Sequence, residues 1–299
     1  MFLSLMYHNV VEDGFFESPR GTYARLSPSI TSYFLEESAF RQHVAWLQRE
    51  TTPLTLSDVR NELLPRVADA PFRPDVIAAP TRSWPERKPR VQVTFDDGWK
   101  ESVDRAGPIL AEAGMEALVF VTTDLIGKPM FLSRGELQRL PSHYRIGSHA
   151  RTHDFLNELP ETAIREELVT SRKVLEDITG KPVDTISIPN GAIDARVRRI
   201  AVEADYRLIY TSDVHANGPQ TGSLAIGRIA IRDTTTAAHL ENAISGTGLS
   251  SQSLRRGLLN IPKTILGPRR YRRLRGWLIG ERSDQLEMTD LGRGRGTRD

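Results

Sequence analysis

Two pairs of polar residues in this sequence have the types and spacing of a metal-dependent active site. The segment "TFDDGW" places adjacent carboxylates, Asp96 and Asp97, at the end of an apolar run, and "SHARTH" places His149 and His153 four residues apart. Each pair alone has a plainer reading, because Asp-Gly is a common turn and two histidines can fall at this spacing by chance. Imidazoles at i and i+4 on a helical turn face the same way, however, and can bind one ion.

Taken together, the pairs suit metal-assisted hydrolysis. Two histidines and one aspartate would form an open three-ligand site that leaves a position for water. A divalent ion lowers the pKa of such a water toward about 7 and polarises a carbonyl group. The second aspartate, next in sequence to a ligand, would then lie within reach of that water as a general base.

The surrounding elements must bring these residues together, and they alternate between strand and helix. Predicted strands cover 90–95, 117–126, 144–149, 184–188, 207–212 and 224–231. Predicted helices cover 101–114, 134–140, 160–180, 194–204 and 236–244. Repeated βα units imply an α/β fold with a mostly parallel sheet, open or closed into a barrel. Both motifs fall at carboxyl ends of strands, where such folds carry their chemistry.

The first ten residues, "MFLSLMYHNV", could be an export signal or a buried strand. No Lys or Arg precedes Arg20, and the apolar run stops at Tyr7. A secretory signal needs a basic start and about 7 to 15 apolar residues, and a membrane helix needs about 18. We therefore expect no signal peptide and no transmembrane segment. The segment is predicted to be a strand.

Composition narrows the classes further. The chain has 299 residues, 39% of them hydrophobic and 26% charged, which is typical of a soluble globular protein. There is no cysteine, so any metal must be held by His, Asp or Glu. The net charge of +2 argues against a whole-surface nucleic-acid binder, and we expect no nucleic-acid partner.

Two segments break the βα rhythm. Residues 65–90 contain six prolines, which predicts an irregular surface excursion. From Arg255 to Arg282 there are nine basic residues and one acid, interleaved with apolar side chains. This segment could lie on an anionic membrane surface, although a solvated helical extension packed on the barrel is the plainer alternative. The end of the chain is expected to be disordered.

The motifs "TFDDG", "HARTH" and "ISIPNG", in this order and spacing, resemble those of the polysaccharide deacetylases, the NodB-like carbohydrate esterases. The resemblance covers about residues 1–245, which implies a catalytic domain there and a basic C-terminal extension over 246–299. It implies a distorted (β/α) barrel with fewer than eight complete units. It also implies that Asp96 is the general base and that Asp97, His149 and His153 hold one divalent metal, usually zinc.

The third motif departs from the pattern Arg-x-Pro-Tyr-Gly found in many members. Here Ser187 stands in place of the arginine that orients the base, and Pro189, Asn190 and Gly191 complete the motif. The backbone N–H of Asn190 could still bind an oxyanion, because that role needs no particular side chain. Arg228 is a candidate to replace the missing charge, with a surface arginine at a strand end as the alternative.

A general acid is also needed, because the departing amine must be protonated. No late leucine-rich stretch ending in histidine is present; His215 falls in a polar loop and His239 on a predicted helix. The segment "MYHNV" resembles instead the N-terminal strand of the circularly permuted poly-N-acetylglucosamine deacetylases, which implies that His8 is the acid. A histidine capping a core strand is the alternative. His43 and His143 are expected to be structural or surface residues.

These features predict an enzyme that removes N-acetyl groups from amino sugars of a polysaccharide, such as an exopolysaccharide, or its precursor. A deformylase or small-molecule amidase with the same machinery is one alternative, and an inactive carbohydrate-binding member is another. The expected partner is an N-acetylated glycan. A cytoplasmic address is expected, with peripheral contact at the inner membrane through the basic segment as an extension of it.

Overall fold

The computed structural model describes residues 1–64, 88–244 and 285–292. Ten strands are described: β1 (Leu3–Tyr7), β2 (Asn9–Val11), β3 (Phe34–Glu36), β4 (Thr52–Pro53), β5 (Arg90–Phe95), β6 (Ala117–Val121), β7 (Tyr144–Ser148), β8 (Thr185–Ser187), β9 (Leu208–Tyr210) and β10 (Ile229–Ala230). The described α-helices are α1 (Pro28–Thr31), α2 (Glu37–Glu50), α3 (Leu56–Leu63), α4 (Glu101–Asp104), α5 (Ala106–Glu112), α6 (Arg134–Gln138), α7 (Glu161–Thr179), α8 (Ala195–Glu203), α9 (Ala237–Ile244) and α10 (Met288–Gly292).

The main sheet is parallel and has the order β10-β1-β5-β6-β7-β8-β9, with the short β4 also paired to β5. Strand β5 is buried from Val91 to Phe95, as expected for a parallel strand covered on both faces. The sheet curls and carries helices. The predicted distorted (β/α) barrel is thereby confirmed.

The N-terminal strand is central to this sheet. Strand β1 lies between β10 and β5, and Tyr7 pairs with Phe95 at the carboxyl ends of the two strands. Parallel strands end at the same edge of a sheet, so the residues that follow them, His8 and Asp96, emerge side by side. The prediction of a buried N-terminal strand is confirmed by the full burial of Leu3–Tyr7.

Several predicted elements differ in extent from the structure. The strand predicted over 117–126 ends at Val121, and Thr123–Leu125 form a 3₁₀ turn. The helix predicted over 101–114 is divided into α4 and α5, because Pro108 has no N–H to donate to the carbonyl of Asp104. The strand predicted over 224–231 is ladder-paired only at Ile229–Ala230. Its earlier part is held by the side chain of Asn217, which bonds both the N–H and the carbonyl of Gly227.

Part of the chain packs beside the sheet rather than within it. Strands β2 and β3 form a separate two-stranded sheet near the N-terminus, and Leu286 forms a bridge with Leu26.

No helix in the described ranges is both long and apolar enough to cross a membrane. Most of the proline-rich prediction (65–87) and most of the C-terminal extension (245–284 and 293–299) lie outside the described residues.

Candidate active site

The two motif aspartates follow β5 directly. The N–H of Asp96 continues the ladder by donating to the carbonyl of Tyr7 at 3.0 Å. The chain then turns sharply, with φ values of 74° at Asp97 and 85° at Gly98. A Cβ at Gly98 would come within 3.2 Å of Val121, so glycine suits this position for both conformation and space. The turn brings the two adjacent carboxylates to one site.

Both oxygens of the Asp96 carboxylate are bound. Arg228 donates from Nη1 to Oδ1 at 2.6 Å and from Nη2 to Oδ2 at 2.8 Å. The hydroxyl of Ser187 donates to Oδ2 at 3.0 Å. Arg228 is 1% exposed and is itself held by the carbonyl of Thr211, at 3.0 Å from Nε. This bidentate geometry fixes the orientation of the carboxylate as well as supplying charge.

Arg228 therefore enters the site, and the alternative of a surface arginine is wrong. Its predicted strand is ladder-paired only from Ile229 onward, so the side chain reaches Asp96 from the segment just before β10. The residue at the position of the missing arginine, Ser187, contacts the same carboxylate and also accepts a hydrogen bond from Arg228 at 2.7 Å. The two residues together bind both oxygens of the predicted base.

The second aspartate is arranged differently. Oδ1 of Asp97 lies 3.3 Å from Nε2 of His149 and 3.3 Å from Nε2 of His153. This oxygen is buried and accepts no hydrogen bond, whereas Oδ2 accepts one from Nε1 of Trp99 at 2.9 Å. The ligand atoms of the three residues lie within 4.8 Å of one another. A buried, unpartnered carboxylate oxygen facing two imidazoles fits a divalent cation.

The donor set suits zinc chemistry, since two imidazoles and one carboxylate form a common three-ligand catalytic site. Nδ1 of His149 donates to the carbonyl of Ser187 at 2.8 Å, which leaves Nε2 as the free ligand atom. Such a bond on the far nitrogen fixes the tautomer and the ring orientation of a metal-binding histidine. The metal-ligating group predicted from the sequence is thus assembled in space.

The charges of the site act on one another. Burial alone would raise the pKa of Asp97, but the neighbouring imidazoles hold it well below its usual range. Burial would also raise the pKa of Asp96, and the charges of Arg228 and His149 lower it instead. The pKa of His149 is raised, because the two carboxylates outweigh the effect of burial. Both aspartates are therefore ionised at neutral pH.

A carboxylate on a neighbouring helix shapes the histidine segment. Glu167 of α7 accepts hydrogen bonds from the backbone N–H groups of Arg151 and Thr152, each at 2.9 Å, and from the Thr152 hydroxyl at 2.9 Å. The backbone is left-handed at Ala150 and His153, with φ of 57° and 68°. Because non-glycine residues adopt this conformation at a cost, the Glu167 bonds help to hold the segment in it.

His8 belongs to the same charged environment. Its ring packs on Tyr33 with centroids 4.5 Å apart, and its Nδ1 is buried without a hydrogen-bond partner. Burial lowers the pKa of His8, and the charges of Asp97 and Asp96 partly offset that effect.

The third motif turns beside the histidines. Pro189–Gly191 form a short 3₁₀ turn with φ of 57° at Asn190 and 61° at Gly191. Pro189 is buried and Asn190 is exposed, with its side-chain amide 3.5 Å from the carbonyl of His153. The motif thus lies next to the predicted metal ligands.

The remaining histidines are placed outside this site. His43 is buried, with its ring nitrogens near the Tyr7 hydroxyl and the carbonyl of Thr235, and it is structural as predicted. His143 is half-buried beside α5, and His239 lies on an exposed part of α9. His215 bonds only locally, to the carbonyl of Ala216.

Sequence reasoning missed three residues that contact the site. In the sequence, Ser187 stands out only because it replaces the arginine of the motif, yet its hydroxyl contacts Asp96. Trp99 stands in the quoted "TFDDGW" motif, so its position was a usable signal. Glu167 lies on a helix whose charged residues otherwise look like a solvated face, and nothing local marked it.

Comparisons with known proteins agree with this geometry. Residues 84–209 match the family model described as polysaccharide deacetylase. The protein YxkH of Bacillus subtilis, whose name assigns it to the polysaccharide deacetylases, is 27% identical over 142 residues. That match covers 47% of this chain and 51% of YxkH, so the chain spans about half the length of this curated relative.

Solved structures share the fold. The Streptococcus pyogenes deacetylase PplD, solved in complex with acetate, superposes with a TM-score of 0.63 at 19% identity, over 81% of this chain and 97% of PplD. IcaB from Ammonifex degensii superposes with a TM-score of 0.63 at 18% identity, over 82% of this chain and 96% of IcaB. The central N-terminal strand is consistent with the predicted permuted branch. Over residues 84–209 the chain is thus similar to the polysaccharide deacetylases.

Proposed function

We propose that this protein is a metal-dependent hydrolase that removes N-acetyl groups from amino sugars of a polysaccharide or its precursor. The observation that carries the proposal is the division of labour between two adjacent carboxylates. Asp96 is bound on both oxygens by Arg228 and Ser187, whereas Asp97 presents an unpartnered oxygen to two histidines. One carboxylate is arranged as a held base and the other as a metal ligand.

Asp97, His149 and His153 would hold the metal, which we expect to be zinc. When bound, a divalent ion supplies Lewis acidity that activates water and polarises the acyl carbonyl. Asp96 takes a proton from the attacking water, and the guanidinium of Arg228 keeps the carboxylate aimed and ionised. The backbone N–H of Asn190, with Pro189 and Gly191 shaping its turn, donates to the developing oxyanion.

The departing amine must also gain a proton, and Asp96 begins the reaction ionised as the base, so we assign the acid role to a separate group. His8 is the candidate, because it follows β1 at the same sheet edge as Asp96. The charges of both aspartates also raise its pKa against the effect of burial. Replacing it with alanine should lower acetate release about 100-fold while leaving bound metal unchanged. The exposed His239→Ala is the matched control. Unchanged acetate release in His8→Ala would remove His8 from the mechanism.

The function is tested by acetate release from N-acetylglucosamine oligomers, measured with and without a chelator. The expected result is acetate production that the chelator abolishes and added Zn²⁺ restores. Formate release from N-formyl analogues, or turnover of small amides alone, would favour a deformylase or an amidase instead. Binding of the oligomers without any product would favour a carbohydrate-binding member that has lost activity.

The partners and address extend the same proposal. We place the catalytic domain at residues 1–245 and expect an exopolysaccharide or a lipid-linked precursor as substrate. The basic segment between Arg255 and Arg282 would give peripheral contact with the inner membrane surface. Sedimentation with vesicles containing phosphatidylserine should retain the protein at low salt and release it at high salt. No retention at either salt concentration would remove the membrane contact.

A further inference from the structure

We propose that residues 285–292, called the C-terminal strap here, and Trp99 form a positioning element for the metal ligand Asp97. The inference rests on the proposed metal site and adds to it a part of the chain outside the matched family region, which ends at residue 209. Trp99 and the strap touch neither substrate nor reacting atoms. They act by fixing how one carboxylate is presented.

The first step is the bond between Trp99 and Asp97. The indole Nε1 donates to Oδ2 of Asp97 at 2.9 Å, and an indole N–H can only donate. With Oδ2 engaged, the carboxylate cannot rotate freely, so Oδ1 stays directed toward the imidazoles of His149 and His153 at 3.3 Å. Partners of this kind orient the ligand and typically change metal affinity by about 10- to 100-fold.

The second step is what holds Trp99. The indole is fully buried, and its ring lies 4.3 Å from that of Phe131 and 5.0 Å from that of Phe34, measured between centroids. Tyr23 stacks nearby at 6.4 Å. Because close-packed side chains leave little freedom, the position of the indole is set by this aromatic cluster.

The third step is the strap itself, which closes the same cluster. The N–H of Leu286 donates to the carbonyl of Arg25 at 2.7 Å, and the N–H of Ser27 donates to the carbonyl of Leu286 at 3.1 Å. Lys128 donates to the carbonyl of Leu291 at 2.7 Å. The strap's three apolar side chains are buried in the cluster that contains Trp99 and Phe131; they are Leu286, Met288 and Leu291.

The strap is therefore tied to the chain on two sides of the cluster. Hydrogen bonds join it to the segment before α1, and the lysine joins it to the turn between β6 and α6. Glu287 adds further bonds from the hydroxyl of Ser29, at 2.8 and 3.1 Å. Loosening the strap should let the indole shift. The Asp97 carboxylate would then be held less firmly in the orientation that directs Oδ1 toward the two imidazoles.

The test measures Co²⁺ affinity of the full chain by chelator competition, together with the visible absorption of the Co²⁺-loaded protein. Trp99→Phe keeps an aromatic ring and removes the donor. Leu286→Ala combined with Leu291→Ala loosens the strap without substituting Trp99. Each variant should bind Co²⁺ about tenfold more weakly, with a changed absorption band that reports altered coordination.

Val59→Ala is the matched control, since Val59 lies on α3 and is fully buried in a different cluster. It should lower stability without changing Co²⁺ affinity or absorption. Unchanged affinity in Trp99→Phe or in the strap variant would overturn the inference, and so would an equal loss in Val59→Ala. A wild-type chain that binds no Co²⁺ would instead overturn the proposed metal site itself, together with this inference.

Discussion

Asp96 and Asp97 are neighbours in sequence with the same side chain, yet their surroundings differ. Asp96 faces Arg228 and the Ser187 hydroxyl, and both its oxygens are bound. Asp97 faces two imidazoles and keeps one oxygen without a hydrogen bond. A sharp turn between two adjacent residues thus directs one carboxylate to Arg228 and Ser187 and the other to the two imidazoles.

The groups that contact each carboxylate, rather than the residue type, therefore set its role. A bound, oriented carboxylate is suited to proton transfer in a fixed direction. A carboxylate with an unsatisfied buried oxygen is costly unless a cation completes it. The predictions below alter one side of this comparison at a time.

The largest expected effect is on turnover when the base is neutralised. Asp96→Asn keeps the shape of the side chain but cannot take a proton, so acetate release should fall about 10⁴-fold. Metal content should stay at the wild-type level, whereas His149→Ala should lose both metal and turnover. Acetate release at the wild-type rate from Asp96→Asn would contradict the assignment of the base.

The second effect is on stability when the base loses its partner. Arg228→Met leaves the buried Asp96 charge unpaired, so the free energy of unfolding should fall by about 3–5 kcal/mol. Chemical denaturation measures this loss, with the exposed Arg232→Met as control. The double variant Asp96→Asn with Arg228→Met should lose less than the two single losses added together. Strictly additive losses would show that the pair is not coupled.

The third effect is on the pH dependence of stability, and it concerns His43, whose pKa is set chiefly by burial. Burial lowers the pKa of His43 to about 4, whereas the two aspartates raise the pKa of His149. Below about pH 6.5 the unfolded chain protonates at His43 while the folded chain does not, so stability is lost as pH falls toward 4. The loss attributable to this residue should be about 3 kcal/mol.

Its measurement is denaturant unfolding of the wild type and of His43→Gln at pH 7 and pH 4. The wild type should lose about 3 kcal/mol more than the variant over this interval. Equal losses would mean that burial does not hold His43 neutral. The difference in pKa between His43 and His149 could then not be assigned to the carboxylates beside His149.

The smallest effect concerns the segment between His149 and His153, the proposed metal ligands. Glu167→Gln keeps the size of the side chain but weakens its bonds to the N–H groups of Arg151 and Thr152. Metal affinity should fall about tenfold, as measured by chelator competition. The neighbouring Glu166→Gln, which faces solvent and contacts Arg151 from outside, should leave affinity unchanged. Equal affinities in both variants would remove Glu167 from the support of the site.

The sequence allowed the ligand set to be predicted because short-range features specify it. Asp97, His149 and His153 stand at the ends of strands that periodicity predicts, and parallel strands end at one edge of the sheet. The N-terminal strand was predicted from an apolar run that stops early, and the role of His8 from a resemblance, but neither gave the central place of β1. Register and strand order then placed the two residues side by side.

The partners of the site could not be predicted in the same way. Arg228 is separated from Asp96 by 132 positions in the sequence. It stands just before β10, which begins late because the side chain of Asn217 binds the N–H and the carbonyl of Gly227. Leu286 of the strap meets Leu26 across a still longer separation. Such contacts depend on tertiary packing, and no local propensity encodes them.

The most direct test of the account is the metal content of two matched variants, Asp96→Asn and Asp97→Asn, purified in the same zinc-containing buffer. Each loses one negative charge at adjacent positions and keeps its side-chain shape. We expect about one zinc ion per chain in Asp96→Asn and almost none in Asp97→Asn. Equal zinc content in the two variants would contradict the division of roles between the carboxylates.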